Sequence, residues 1–168
     1  MRFTSEHYFQ AALERIAQAH SLHRLGSRFA LAMYVAGVAV ECMLRAFRLK
    51  RDPTFEERHD IVRLFKASGM LEIDPAAWRR QGLSEVQAES YARELRAAVN
   101  EIALLWSNDY RYASESRLRS HLQKEARLRS GVRGDLLKAN AQRLLNAAQT
   151  FIDKGYLLWN SSRKPKSS

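Results

Sequence analysis

The stretch FALAMYVAGVAVECML, Phe29 to Leu44, carries the strongest structural signal in the chain. It is apolar nearly all round, and its Ala, Leu and Met are good helix formers. It is also shorter than the ~20 residues a membrane span requires, and Glu41 interrupts it. A helix of this kind belongs in the middle of a bundle, covered by other helices. Its flanks place it from about Ser27 to Lys50, where Arg51-Asp52-Pro53 breaks it.

On its N-terminal side, Tyr8, Ala12, Ile16 and Ala19 share one stripe of a first helix, which Gly26 can end. On the other side, Ile61, Leu64 and Phe65 mark a shorter amphipathic segment running up to Gly69. Asp74-Pro75 reads as a cap with proline in the first turn, opening one short helix through Trp78. Ser84 with Gln87 is a capping-box signature for a helix whose Tyr91, Leu95, Val99, Ile102 and Trp106 share a face, ended by Ser107-Asn108-Asp109. A final helix from about Asp135 keeps Leu137, Ala141, Leu144, Ala148 and Phe151 in register. Strand signals are scarce, with only three prolines and seven glycines as punctuation. The expectation is an all-α fold forming one domain over residues 1–160. The basic tail 161–168, SSRKPKSS, has nothing to bury and is expected to be disordered.

Composition narrows the chemistry. Lys and Arg number 28 against 18 Asp and Glu, a net charge of +10, and 21 of the basic residues are Arg. Guanidinium forks match phosphate oxygens in two-point contacts, so this excess suits a polyanion such as RNA or a nucleotide. A charged, solvated surface or an acidic protein partner accounts for the same balance. The densest segment holds Arg117, Arg119, Lys124, Arg127, Arg129 and Arg133 within 17 residues, the candidate nucleic-acid-binding set. One cysteine, Cys42, cannot form an intramolecular disulfide, and the start MRFTSEHYFQ lacks the basic-then-apolar pattern of a secretory signal. A cytoplasmic protein with no membrane association is expected. The five histidines lack metal-ligand spacing, and the glycine patterns of phosphate and dinucleotide loops are missing, so no metal and no cofactor are expected. Cys42, inside the apolar helix, reads as a packing residue.

Glu41 is a carboxylate among Val40, Cys42, Met43 and Leu44, and must either find a partner or shift its pKa upward. Pairing with Arg45, four residues on, and a place in a site both satisfy that requirement.

The string from Met33 to Ala46, MYVAGVAVECMLRA, resembles the second helix of many bacterial HEPN domains. Tyr8-Phe9-Gln10-Ala11-Ala12, Leu25-Gly26, His59-Asp60 with Leu64 and Gly69, and Trp106 followed by Arg111-Tyr112 occur in the matching order, so the likeness spans about residues 5–113. It implies a HEPN-like bundle of four to five helices with short extra helices, a homodimer, and a partner nucleotidyltransferase encoded alongside. Active members of that family cut RNA without metal, using an Arg and a His with four to six residues between them. Others have lost the motif and serve as binding or assembly modules.

Here the motif departs from the pattern. Arg111 stands where the family's Arg is expected, but the following positions at that spacing are Ser116, Arg117 and Leu118, and His121 lies ten residues beyond. Arg2 to His7 and Arg15 to His20 match by spacing, at a rate chance alone supplies, in the first-helix region where the family motif does not sit. The candidate catalytic pool is therefore Arg111, His59, Glu41, Tyr112 and His121, with Asp60 beside it. His59 suits proton transfer near neutral pH or, with Asp60, a helix cap; Arg111 suits phosphate binding or a bridge to Glu41 or Asp109. The expected function is an RNA-directed component of a toxin–antitoxin or defence system, a metal-independent ribonuclease of altered site or a degenerate RNA-binding relative. The alternative is a non-catalytic dimeric interaction or nucleotide-binding module that docks a nucleotidyltransferase.

Overall fold

A computed structural model describes residues 3–54, 60–70, 82–125, 128 and 131–161. The helix expected from Asp74-Pro75, the candidates His59, Arg127 and Arg129, and the tail beyond Ser161 lie outside the described residues. Within them the protein is an all-α bundle: α1 (Ser5–Arg24), α2 (Phe29–Arg51), α3 (Ile61–Ser68), α4 (Glu85–Leu105), a 3-10 turn (Asn108–Tyr112), α5 (Glu115–Lys124) and α6 (Leu136–Ser161).

Each boundary has a local cause. Thr4 opens α1 with a capping box closed by His7, and Ser84 opens α4 with one closed by Gln87. Gly26, at φ +72°, turns the chain between α1 and α2. Asp60 caps α3 by accepting from the Arg63 amide at 3.0 Å, and Gly69, at φ +68°, ends it.

α2 lies at the centre and packs on α1, α3, α6 and the 3-10 turn. Ala32, Met33, Ala36, Ala39, Val40, Met43 and Leu44 are fully buried. α2 is long and apolar enough to cross a membrane, yet 67% of its apolar window is covered inside the bundle, so its hydrophobic character is accounted for by helix packing. The small residues on α2 let its neighbours approach closely. α6 contributes the stripe Leu137, Ala141, Leu144, Ala148 and Phe151, every one without exposed surface. The Trp159 indole stacks on Phe9 at 4.7 Å and meets Phe47 edge-on at 5.5 Å, which joins α1, α2 and α6 at one end.

Several buried polar groups are paired in ways that fix neighbouring elements. Glu41 accepts from Arg45 Nε at 2.8 Å, one helical turn apart. Lys154 reaches Glu94 at 2.7 Å across the α4–α6 seam while its ammonium lies over the Tyr91 ring at 3.8 Å. Asn140, fully buried, donates to the carbonyls of Leu128 and Leu136. Asp135 caps α6 by accepting from the Leu137 and Lys138 amides, and the same oxygen accepts from Arg119 at 2.6 Å.

The Arg119 hydrogen bond, helped by the Lys138 amide and by the guanidinium charge, holds the Asp135 carboxyl below its ordinary range. A depressed folded-state pKa means stabilisation that is present above the unfolded value of about 3.9 and lost as pH falls through the folded value. Asp135→Asn, which keeps a capping side chain but loses the charge, is expected to be less stable than wild type at neutral pH. That difference should narrow toward zero in urea melts as pH is lowered from about 5 to 2. A difference that does not change with pH would remove the ion pair from this account.

Candidate nucleic-acid cleft

The chain from the end of α4 to the end of α5 forms the walls of an open cleft. Trp106 closes α4: its backbone leaves the helix in extended conformation while its amide still bonds the Ile102 carbonyl. Its indole lies against Gly37 and donates to the Tyr34 carbonyl at 3.2 Å, which pins the following turn to the central helix. Ser107 starts the 3-10 turn by accepting from the Asp109 amide, and Ser114 starts α5 by accepting from the Arg117 amide at 3.2 Å.

α5 is tied to the bundle by an unusual cap. Arg28, which precedes α2, makes no side-chain cap, and the first turn of α2 holds no acidic residue. Glu115, at the start of α5, supplies both from outside: its Oε1 accepts from the Ala30 amide at 2.7 Å. A carboxylate there also meets the positive end of the α2 dipole. Leu118 and Leu122 then bury one face of α5, which leaves Arg117 and His121, four residues apart, together on the solvent side.

The cleft, about 540 Å³, is lined by Asp109, Tyr110, Tyr112, Arg117 and His121, with Ser107, Ala113 and Leu118 between them. Tyr110 is buried, and its ring meets the His121 imidazole edge-on at 6.3 Å. Burial, with the Glu125 charge adding to it, pushes the Tyr110 hydroxyl above its ordinary range. Tyr112 is 77% exposed, and the Arg111 guanidinium lies over its ring at 4.6 Å. Ser107 and Asp109 are shared with a second, adjoining cleft of about 350 Å³ that Asp60, Trp106 and Asn108 also line.

No family model, curated protein or solved structure matches this chain. The functional reading therefore rests on the cleft itself. Of the candidate catalytic pool, Tyr112 and His121 line it and Arg111 borders it through Tyr112. Glu41 does not: it is buried against Arg45, the structural one of its two expected roles. The bridges weighed for Arg111, to Glu41 or Asp109, do not form, because Arg111 is solvent-exposed and stacked on its neighbour. Asp60 does cap α3 and faces the second cleft.

Of the basic segment, Arg117 lines the cleft, Lys124 and Arg133 are exposed, and Arg119 is engaged by Asp135. No group of His, Cys, Asp and Glu among the described residues could hold a metal ion. The Cys42 thiol is pushed up to about 11, by burial first and then by the Glu41 charge, which removes it as a nucleophile.

Two features of the cleft go beyond the sequence expectations. Arg117, expected to track phosphate, and His121, expected in catalysis, are neighbours on one helix, which Ser114 as a cap and Leu118 with Leu122 at helical spacing signal. Tyr110 and Asp109 are cleft residues that no motif marks.

Proposed function

We propose that this protein acts on RNA as a metal-independent ribonuclease of toxin–antitoxin or defence type, with the cleft between the 3-10 turn and α5 as its site. The observation that carries this reading is the convergence of Arg117 and His121 with Tyr110 and Tyr112 on one open, solvent-facing cleft in a chain of net charge +10. The resemblance of residues 33–46 to the second helix of HEPN domains supports the same class of substrate.

The chemistry follows from the groups present. Arg117 holds a backbone phosphate and neutralises the charge that builds on its oxygens as phosphorus becomes five-coordinate. His121, the residue type able to exchange a proton near neutral pH, takes the proton of the adjacent ribose 2′-hydroxyl. The 2′-oxygen then forms a bond to phosphorus while the bond from phosphorus to the 5′-oxygen breaks. The departing 5′-oxygen takes the proton back from the imidazolium. The products are a 2′,3′-cyclic phosphate and a 5′-hydroxyl, with no oxidant, metal or cofactor in the balance. The Tyr110 hydroxyl, protonated at neutral pH as any ordinary phenol is, is a further donor to the phosphate oxygens.

Purified protein incubated with total RNA is expected to shorten it equally well with and without EDTA, leaving ends that carry cyclic phosphate. Retardation of RNA without any shortening would leave an RNA-binding relative and remove the catalytic part of the proposal. Neither cleavage nor binding at about 50 mM salt, where phosphate contacts are strong, would overturn the proposal as a whole.

A further inference from the structure

The cleft holds one group that a phosphate-binding site does not call for. Asp109 lines it beside Arg117 and His121, yet among the described residues its carboxylate meets no cation and no N–H; the only Asp109 hydrogen bond runs from its amide to Ser107. Several other carboxylates near basic residues are paired, among them Glu41 with Arg45, Asp135 with Arg119 and Glu101 with Arg143. A free carboxylate repels phosphate and raises no affinity for RNA unless something with hydrogen-bond donors reaches it. Tyr112, the most exposed aromatic residue of the described chain, stands in the same wall, with Arg111 over its ring. An aromatic face is where a splayed-out base stacks, and only an unpaired base offers its face and Watson–Crick edge together.

The edges of the four bases differ in what they show a carboxylate. Guanine presents N1–H and the N2 amino group side by side, two donors that match the two carboxylate oxygens. Cytosine and adenine present one amino group next to a ring nitrogen acceptor, and uracil one N–H between two carbonyls, so each places an acceptor against the negative charge. We infer that the cleft takes an unpaired guanosine of single-stranded RNA, the base stacking on Tyr112 and its edge read by Asp109. This rests on the RNA reading above and adds its specificity. The volume, about 540 Å³, falls within the range of roughly 300–1,000 Å³ that suits a small-molecule-sized group such as one nucleotide.

The test is fluorescence anisotropy with labelled uridine pentamers carrying a single central A, C, G or U. The pentamers are 2′-O-methylated so that no 2′-hydroxyl is available for cleavage. Wild type is expected to bind the G pentamer about tenfold more tightly than the other three, in line with one two-point contact to a base edge. Pairing the same G pentamer to its complement should weaken binding. Asp109→Asn, which keeps the size but not the paired acceptors, is expected to bring the four affinities together. Tyr112→Ala should weaken all four.

Four equal affinities in wild type, or a G preference that survives Asp109→Asn, overturn the guanosine assignment while leaving the RNA reading intact. Failure of every pentamer, and of total RNA, to bind or be cut overturns both. Asp109 is exposed and its side chain bonds no other element among the described residues, so an unchanged melting temperature is expected of the variant.

Discussion

Replacing Gly37 with leucine is expected to lower the melting temperature by several degrees and to loosen the cleft at the same time. A Cβ at position 37 would overlap the indole ring of Trp106, which cannot simply slide away. Its Nε1 is bonded to the Tyr34 carbonyl at 3.2 Å, and its backbone closes α4. Overpacking of a well-filled core costs about 1–3 kcal/mol, and each kcal/mol moves the midpoint of a chain this size by about 2–4 °C. The sign can be tested more sharply with alanine. In a helix interior, Gly to Ala ordinarily stabilises by roughly 0.5–1 kcal/mol, so a loss at position 37 means that the clash outweighs the gain in helix propensity. In a Trp106→Leu background the clash is gone, and Gly37→Ala should become neutral or stabilising. A thermal melt showing the same loss in both backgrounds would mean that Trp106 is not what Gly37 accommodates.

This residue pair also shows where sequence reading succeeds and where it stops. A glycine in an apolar helix signals close approach, and the period of the apolar residues identifies α1, α2, α4 and α6, because burial stripes on long helices repeat many times. Ser84 with Gln87 and Asp60 with Gly69 mark helix ends through side chains that bond the nearest amides, so those boundaries are legible too. What approaches Gly37 is another matter. Trp106 lies 69 positions away in the chain, and nothing in either local pattern links the two. The cap from Glu115 to Ala30 is of the same kind: it joins residues 85 apart, and only folding brings them together.

The site was legible to the same degree. Exposed, chemically apt residue types stand out, as Arg111, Tyr112, Arg117 and His121 do. Which of them converge depends on the direction α5 leaves the 3-10 turn. Glu41 illustrates the converse, since its surroundings demand a partner, and the partner is the local Arg45. A short-range pair was sufficient, and no site was needed to explain it.

His121→Ala is expected to lower the rate of RNA cleavage by about 10²–10⁴, the usual contribution of a positioned acid–base group, with little change in affinity. The imidazole is exposed and meets the Tyr110 ring edge-on at 6.3 Å, so the truncation opens no cavity and the fold should hold. Arg111→Ala should divide differently. Among the described residues its guanidinium makes no ion pair, and it lies outside the residues lining the cleft, so its contribution is a phosphate contact and a charge over Tyr112. Losing one such contact should reduce the slope of log affinity against log salt by about 0.7 for single-stranded RNA, with a modest effect on the rate at saturating substrate. Arg117→Ala combines both losses, since the same side chain would hold the phosphate before reaction and meet the extra charge during it. Single-turnover rates and salt-dependent binding, measured on the three variants together, separate these roles. Should His121→Ala cleave at the wild-type rate while Arg111→Ala abolishes cleavage with unchanged affinity, the acid–base group is elsewhere and the cleft between the 3-10 turn and α5 is not where the bond breaks.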